Sequence, residues 1–347
     1  MSNSILAGHG PAPQEMTLAI IGAGSWGTAL SIVLAPKFER VRLWVHEEDL
    51  AARMNETREN DLYLKGFTIP WNVDAETDLG AAVHRAAVVL GVMPSHHARG
   101  LYTRMLPHLE DSMIFVSATK GIENGTLLRM SEVIAEVTAS SRMTPKIAIL
   151  SGPTFAREVA RGEPAAVVVA ASDLAVATEV QTAFSGPSLR LYTNHDPIGV
   201  EVGAALKNVI AIGAGVCQGL GLGNNTLAAL ITRGLAEISR LAVAMGGEPR
   251  TLAGLAGLGD LVLTCSGDLS RNRQVGLELA RGRAIEDITG SMSMVAEGVE
   301  TCAAAVGLGA RFGVDLPIIQ QMHAVLHHGK SPREALRDLM ERTLKGE

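Results

Sequence analysis

One lysine stands in a segment where a charged side chain is unexpected. Lys207, followed by Asn208, lies within Val200–Val216, a predicted helix composed almost entirely of Gly, Ala, Val, Ile and Leu. A lysine in apolar surroundings is costly unless it is paired or functional, and burial lowers its pKa by up to about 3–5 units. Such a lysine could exchange a proton with a carbonyl or alcohol oxygen. The pattern fits equally a lysine whose stem lies on apolar surface while its ammonium group reaches water.

Two further polar groups occur later in the chain. Asp260 is the single acid in Gly257–Thr264, among apolar residues and glycines. The run Ser270-Arg271-Asn272-Arg273 predicts a helix start with Ser270 as its cap. Serine, arginine and asparagine at a helix N-terminus could bind a phosphate group. Taken singly, each is more often structural: Asp260 as a cap or turn residue, and Arg271 as a solvated charge.

A glycine-rich turn near the start of the chain has the pattern of a dinucleotide-binding site. The segment GAGSWG, from Gly22 to Gly27, directly follows a predicted strand and opens a predicted helix, Thr28–Leu34. Strand, turn, helix and second strand fall within about 30 residues, as this fingerprint requires. Gly22 allows the tight turn, Gly24 lets the backbone approach a pyrophosphate, and Gly27 lets helix and strand pack closely. A glycine-rich turn without a ligand is the alternative.

The form of the dinucleotide is left open by the end of the second predicted strand. A cofactor without a 2′-phosphate usually meets an acid there. Here His46 occupies that position, Glu47 and Glu48 follow it, and Arg42 lies within the strand. Because these signals conflict, the sequence allows NAD, NADP or both.

Polar residues also follow two other predicted strands. Lys120 comes after Met113–Ser117, and the segment from Gly152 through Thr154 to Ala156 comes after Ile147–Leu150. Ligands of open α/β sheets bind at the carboxyl ends of the strands. These residues are therefore candidates for the same site.

The first half of the chain alternates short apolar runs with helical patterns such as Thr126–Val137 and Leu174–Phe184. Runs that are apolar nearly throughout are typical of a parallel sheet covered on both faces. The alternation predicts an α/β fold with a Rossmann-like, doubly wound sheet. The predicted strands are Thr17–Ile21, Val41–Val45, Ala87–Val92, Met113–Ser117, Ile147–Leu150, Ala166–Ala170 and, more weakly, Leu189–Tyr192.

The pattern changes near Asp196, after which only helices are predicted. We therefore expect a flexible tail at residues 1–16, a dinucleotide-binding domain at 17–193 and an all-helical substrate and catalytic domain at 194–347. The predicted helices of the last part are Val200–Val216, Thr226–Met245, Gln274–Arg281, Glu300–Phe312, Ile318–His327 and Pro332–Met340.

Composition excludes several classes of function. A net charge of −6 without a basic stripe argues against nucleic acid as a partner. Cys217, Cys265 and Cys302 are far apart, and no spacing suggests zinc, so free thiols in a reducing compartment and no metal are expected. Neither a signal peptide nor an apolar run of about 18 residues is evident, which predicts a cytoplasmic protein without membrane insertion.

Taken together, these stretches resemble the bacterial NAD(P)-dependent glycerol-3-phosphate dehydrogenase family over nearly the whole chain. Any one motif is weak evidence, whereas their joint occurrence in this order is specific. The matching segments are GAGSWGTAL from Gly22, SATKG from Ser117, SGPTFARE from Ser151, LKNVIAIGAG from Leu206, ITRGLAE from Ile231, GLGDLVLTC from Gly257, SRNR from Ser270 and VAEG from Val295.

The resemblance implies reduction of dihydroxyacetone phosphate to glycerol 3-phosphate by NAD(P)H, a role in phospholipid synthesis, and a homodimer. It assigns proton transfer to Lys207, oriented by Asn208, Asp260 and Thr264. The implied cofactor contacts are Ser25, Trp26, His46, Lys120, Ala156, Arg271, Val295 and Glu297, with the glycines of the turn. The implied substrate contacts are Lys120, Gly152, Thr154, Lys207, Asp260, Thr264, Ser270, Arg271 and Asn272.

Two other functions would fit part of this pattern. Another two-domain dehydrogenase, acting on a carboxylated hydroxy or keto substrate, would also use a lysine, but it would not specifically need the Ser270–Arg273 run. A nucleotide-sensing protein without catalysis would have no reason to combine Lys207, Asn208 and Asp260.

Overall fold

The computed structural model describes residues 16–292 and 294–343. The predicted flexible tail therefore lies outside the described residues, apart from Met16. Within them, one eight-stranded sheet has the strand order β3-β2-β1-β4-β5-β6-β7-β8. The strands are β1 Thr17–Ile21, β2 Arg40–Trp44, β3 Val73–Glu76, β4 Val88–Gly91, β5 Ile114–Ser117, β6 Lys146–Ser151, β7 Ala165–Ala170 and β8 Leu189–Asn194.

The predicted α/β fold with a doubly wound sheet is confirmed, and each of the seven predicted strands is present with bounds shifted by at most two residues. Strand β3 was missed because its sequence, Val-Asp-Ala-Glu, is short and half polar. Strands β1 to β6 are parallel to one another.

The last two strands depart from the parallel arrangement that the apolar runs indicate. Strand β7 is antiparallel to β6, and β8 is parallel to β7. A parallel return would need a crossover that spans the height of the sheet. The connection contains only the five-residue helix Ala156–Ala160, about 7.5 Å long, which packs against the first helix of the fold instead. The chain consequently re-enters the sheet from the edge at which it left.

Helices lie between the strands and make up the rest of the fold. Those between strands are α1 Ser25–Leu34, α2 Glu48–Thr57, α3 Leu79–Val83, α4 Ala98–Met105, α5 Met130–Ala139, α6 Ala156–Ala160 and α7 Leu174–Phe184. Those that follow are α8 Pro197–Gly219, α9 Asn224–Ala244, α10 Pro249–Leu252, α11 Asp260–Ser266, α12 Arg271–Ala280, α13 Ile285–Gly290, α14 Glu297–Phe312, α15 Pro317–His327 and α16 Pro332–Met340.

Below, "sheet region" means residues 17–194 and "helical region" means residues 197–340. The predicted domain boundary between residues 193 and 194 falls at the end of β8, and the division into domains stays a prediction. Helix α5 begins at Met130, four residues later than predicted. Leu127 has a positive φ of 62°, which interrupts helical geometry, and Arg129 is the N-cap.

Helix α8 is the centre of the helical region and packs against α9, α11, α12 and α14. Among the described residues it alone has the length and apolar composition of a membrane span, and that stretch is wholly buried inside the protein. Its contact with α12 depends on glycines: a Cβ on Gly215 would lie 1.8 Å from the carbonyl oxygen of Arg273. The close approach brings the start of α12 beside the middle of α8.

A buried glutamate joins two helices of this region. The carboxylate of Glu237, on α9, accepts hydrogen bonds from the backbone N–H groups of Ile318 (2.8 Å) and Ile319 (3.2 Å) in the first turn of α15. Burial raises the pKa of Glu237 to about 7, although these two bonds oppose the shift. Arg240 lowers this pKa and Asp315 raises it.

We predict that Glu237→Gln removes part of the pH dependence of stability. The folded protein binds the Glu237 proton more tightly than the unfolded chain does, so this stabilisation is complete below about pH 4.5 and is lost as the pH rises through about 7. Between pH 5 and pH 8 the wild type should lose up to about 3 kcal/mol through this group, and the variant should not. Urea unfolding at both pH values measures the difference. Glu334→Gln, at an exposed capping glutamate whose pKa is lowered, is the control and should keep the wild-type dependence. Equal pH dependence in Glu237→Gln and wild type would contradict the prediction.

Candidate active site

The carboxyl ends of the parallel strands meet at one edge of the sheet. The chain runs outward from β1 through β2 to β3 and then returns to β4 beside β1. This reversal makes a topological switch point between β1 and β4, which is where open α/β sheets bind ligands. The predicted residues that follow β1, β2, β5 and β6 all leave the sheet at this edge.

Two lysines from different parts of the fold share one carboxylate. The ammonium nitrogen Nζ of Lys207, on α8, lies 2.5 Å from Oδ1 of Asp260 and donates to Oγ1 of Thr264 at 2.7 Å. Nζ of Lys120, in the loop after β5, lies 2.8 Å from Oδ2 of the same carboxylate and 3.3 Å from the carbonyl oxygen of Gly152. Lys207 is 5% exposed and Asp260 is 0% exposed. Five predicted site residues therefore form one cluster.

The electrostatics of this cluster suit proton transfer. Burial lowers the pKa of Lys207 to about 8, helped by the positive charge of Lys120 and opposed by Asp260. Burial alone would raise the pKa of Asp260, but the two lysines outweigh it and hold that pKa below its usual range. With Asp260 ionised and both lysines protonated, the cluster has one net positive charge. It can therefore donate a proton and stabilise a negative oxygen.

The glycine-rich turn has the geometry that a dinucleotide requires. Gly22 has φ of 120°, and a Cβ on Gly27 would lie 1.8 Å from the carbonyl oxygen of Gly22. A Cβ on Gly24 would meet nothing within 4 Å, so this side of the turn is open. Gly24 is the N-cap of α1 and provides no side-chain cap. In the part of the chain that the structure describes, Nε1 of Trp26 is buried without a hydrogen-bond partner. An open turn, an uncapped helix start and an unpartnered donor all fit a bound dinucleotide.

A loop between α2 and β3 braces this turn, which the sequence analysis missed. The side chain of Asn60 is fully buried and donates to the carbonyl oxygen of Ala23 and to Oγ1 of Thr28, both at 2.8 Å. Ser25 donates to the carbonyl oxygen of Tyr63 at 2.7 Å and also lies 2.8 Å from the sulfur of Met294. The available signal was an asparagine after a helix, which is common in any turn.

The conflicting charges at the end of β2 are separated in the structure. Arg42 donates to the carbonyl oxygens of Ala81 and His84, at the end of α3. Glu47 accepts a hydrogen bond of 2.6 Å from the Tyr63 hydroxyl, and His46 is exposed. The imidazole is thus the exposed group nearest the end of the strand, and Arg42 is engaged elsewhere.

The predicted phosphate-binding residues start α12. Ser270 is the N-cap, and its hydroxyl accepts from the backbone N–H of Arg273 at 3.3 Å. Nη1 of Arg271 donates to the carbonyl oxygen of Val295 at 2.9 Å, and burial lowers the Arg271 pKa. Asn272 donates to Oδ1 of Asn208 at 3.1 Å, which ties the start of α12 to the residue after Lys207.

The remaining predicted residues lie on α14 and in the segment that follows β6. Glu297, the first residue of α14, accepts hydrogen bonds from the backbone N–H (3.2 Å) and the hydroxyl (2.8 Å) of Ser95, which follows β4. Burial raises the pKa of Glu297 to about 6. Thr154 donates to the carbonyl oxygen of Gly152, and Ala156 begins α6. The sequence analysis did not identify Ser95.

The sequence analysis also overlooked Glu201, a second charged residue in α8. Its carboxylate is buried and lies 2.5 Å from Nη1 of Arg129. The signal was present, since Glu201 is an acid in an otherwise apolar stretch of the helix. Among the described residues, no group of three or more His, Cys, Asp or Glu side chains could hold a metal ion.

Comparison with known proteins identifies the family. The family model for the N-terminus of NAD-dependent glycerol-3-phosphate dehydrogenase matches residues 17–177, and the model for its C-terminus matches residues 196–337. A relative named glycerol-3-phosphate dehydrogenase [NAD(P)+] from Koribacter versatilis is 58% identical over 94% of this chain and 97% of its own length. One of the same name from Syntrophotalea carbinolica is 52% identical over 96% and 99% of the two chains.

The solved structures agree with these matches. A crystal structure of glycerol-3-phosphate dehydrogenase from Coxiella burnetii has a TM-score of 0.91 and 38% identity, covering 95% of this chain and 100% of its own. The resemblance predicted from the motifs is thereby confirmed. The chain belongs to the NAD-dependent glycerol-3-phosphate dehydrogenase family.

Proposed function

We propose that this chain catalyses hydride transfer between NAD(P)H and dihydroxyacetone phosphate, with Lys207 as the residue that donates the proton. The family match makes the chain an NAD(P)-dependent oxidoreductase and favours this substrate over a carboxylated one. The observation that supports the role of Lys207 is its burial within 2.5 Å of Asp260, with a pKa of about 8. A proton donor works best when its pKa lies near the working pH.

The sheet region would hold the cofactor. The N–H groups at the start of α1 would bind the pyrophosphate, with Gly24 leaving room for its approach. The Nε1 of Trp26, which has no partner among the described residues, would donate a hydrogen bond to the cofactor. His46 would lie near the adenosine ribose. Ala156, Val295 and Glu297 would cover the remaining length. When bound, NAD(P)H supplies the hydride that adds to the carbonyl carbon of the substrate.

The lysine cluster would carry the acid–base step. As the carbonyl carbon gains hydride, negative charge develops on its oxygen, and Lys207 transfers a proton to that oxygen. Asp260 and Thr264 hold the ammonium group in place, and Asn208 would help to orient the reacting oxygen. Lys120 adds positive charge next to the same oxygen, which favours the charged transition state. In the oxidation direction, neutral Lys207 takes the proton from the alcohol.

The start of α12 would bind the phosphate. Ser270, Arg271 and Asn272 stand at the N-terminus of a ten-residue helix, where the helix dipole favours an anion. The hydrogen bond between Asn272 and Asn208 fixes this end relative to Lys207. Gly152 and Thr154 would contact the substrate from the sheet side. Binding the phosphate thus places the carbonyl group beside the lysine.

The family resemblance supports two further proposals. The enzyme would act in the cytoplasm, where its product supplies glycerophospholipid synthesis. It would work as a homodimer formed through the helical region.

We predict that Lys207→Ala lowers kcat by at least about 10²–10⁴-fold, because the variant lacks the proton donor. The dissociation constant for NADPH, measured by fluorescence titration, should stay near the wild-type value because Lys207 lies on α8, outside the glycine-rich turn. Lys330→Ala removes a lysine that forms an ion pair with Asp338, outside the site, and serves as the control. More than half of the wild-type kcat in Lys207→Ala would refute the assignment.

We predict opposite pH dependences for the two directions of the reaction. Reduction needs the protonated lysine, so its kcat should fall as the pH rises through about 8. Oxidation needs the neutral lysine, so its kcat should rise over the same interval. Steady-state rates with saturating substrates between pH 6 and pH 10 measure both. A reduction rate that stays level or increases from pH 7 to pH 9.5 would argue against Lys207 as the donor.

We predict that Arg271→Ala impairs the phosphorylated substrate far more than the unphosphorylated one. An arginine can make two parallel charged hydrogen bonds to phosphate, whereas lysine acts more as a point charge, so Arg271→Lys should be poor and Arg271→Ala worse. The measurement compares kcat/KM for dihydroxyacetone phosphate and dihydroxyacetone in the variant and the wild type. Arg281→Ala, which removes an arginine at the other end of α12, is the control. If Arg271→Ala slows both substrates by the same factor, Arg271 does not bind the phosphate.

A further inference from the structure

Segment 118–131, which runs from the end of β5 into the first turn of α5, contacts the helical region as well as the sheet region. Ile122 is 1% exposed and is part of the hydrophobic core around α8, and Leu127 packs against the same core. The side-chain amide of Asn124 donates to the carbonyl oxygen of Glu300, on α14, at 3.1 Å. Glu123 in the segment also pairs with Arg99, on α4, at 2.8 Å, so the segment that carries Lys120 is held by both halves of the chain.

A second attachment to the helical region is a buried cluster around Glu201. One carboxylate oxygen of Glu201 lies 2.5 Å from Nη1 of Arg129 and accepts a hydrogen bond of 2.6 Å from the Ser131 hydroxyl. The other oxygen accepts from the backbone N–H of Ser131 at 2.8 Å. The side chains of Glu201 and Arg129 are 4% and 12% exposed, and Glu132 gives Arg129 a second, more exposed partner.

Glu201 and Lys207 lie on the same helix but face different neighbours. Glu201 precedes Lys207 by six residues on α8, which corresponds to about 9 Å along the helix and about 120° around it. Lys207 faces α11, whereas Glu201 faces the start of α5. Segment 118–131 is thus tied to the helical region at both ends, by Lys120 to Asp260 and by Arg129 and Ser131 to Glu201.

We propose that Glu201 is a positioning residue for the reaction, because its hydrogen bonds to Arg129 and Ser131 fix segment 118–131 against α8 and so set the distance between Lys120 and Lys207 across Asp260. This inference rests on the role proposed for Lys207. The reason is geometric. If α8 shifted along its axis or turned about it, either the hydrogen bonds of Glu201 or the Lys207–Asp260 contact would be stretched. A shift of about 1 Å at a catalytic group can cost about 10²-fold in rate.

Glu201→Gln is the principal test, since it keeps the size of the side chain but removes the charge that Arg129 binds. In the ligand-free protein, amide hydrogen exchange of residues 118–131 should accelerate by about tenfold or more, because the attachment at one end is weakened. The kcat for reduction should fall by about tenfold or more, while the KM for NAD(P)H changes by less than about twofold. The pH at which kcat falls to half should move, since the surroundings of Lys207 change.

Glu237→Gln is the matched control, because Glu237 is also a buried glutamate that binds the N-terminal N–H groups of a neighbouring helix. Melting curves of both variants check that each is folded. Only Glu201→Gln should alter exchange in segment 118–131, kcat and the pH profile. If Glu201→Gln does not yield folded protein, Arg129→Lys, which keeps the positive charge but not the two-point geometry, takes its place with the same readouts and a smaller expected loss of kcat.

The outcomes separate this inference from the proposed function. A folded Glu201→Gln or Arg129→Lys variant with wild-type exchange, kcat and pH profile would overturn the inference while leaving Lys207 as the donor. A fully active Lys207→Ala variant would instead overturn the proposed function. Faster exchange in segment 118–131 without any change in kcat or pH profile would show that the Glu201 cluster stabilises the fold only, which also overturns the inference.

Discussion

The carboxylate of Asp260, shared by two lysines, is the contact on which the rest of the site depends. A fully buried carboxylate is tolerated only when it is paired, and the same holds for a buried ammonium group. Asp260 comes from α11, Lys207 from α8 and Lys120 from the loop after β5. The buried charge of Asp260 depends on the two lysines for its stability. The electrostatic requirement therefore holds the two halves of the chain together at the point where the substrate carbonyl is expected.

Helix α8 turns that contact into a site of defined shape. It is long and apolar because it is surrounded by other helices, and its three buried polar side chains point in different directions, each with a partner. Lys207 meets Asp260, Asn208 meets the start of α12, and Glu201 meets the start of α5. The absence of a side chain at Gly215 lets α12 approach closely. One helix therefore positions the proposed proton donor relative to the proposed phosphate-binding residues.

The cofactor side of the site is organised by backbone geometry more than by charge. Gly22 and Gly27 allow strand β1 and helix α1 to meet in a tight turn, and Asn60 braces this turn from an adjacent loop. Ser95 and Glu297 connect the loop after β4 to α14. The sheet region and the helical region thus touch at the proposed cofactor site as well as at the lysines. Binding of either ligand would consequently involve both halves of the chain.

The sequence by itself determined the elements whose signals are local. Apolar runs fixed seven strands, glycine spacing fixed the dinucleotide turn, and 3.6-residue periodicity fixed α9 and α15 within a few residues. The motifs together identified the family, and Lys207 was conspicuous because a charge interrupts an apolar helix. Short polar elements such as β3 carry no such signal, because their conformation is imposed by the neighbouring strand.

Only the tertiary structure decided which distant residues meet. The reversal of β7 depends on where α6 packs, and the partners of Lys207, Glu201 and Asn60 lie 53, 72 and 37 residues away along the chain. Arg42 and Glu47 looked like competing signals for cofactor choice until their hydrogen bonds showed that each is engaged by another part of the fold. Residue type and spacing report what a side chain can do. Its partner depends on packing between elements far apart in the chain, which a local pattern does not contain.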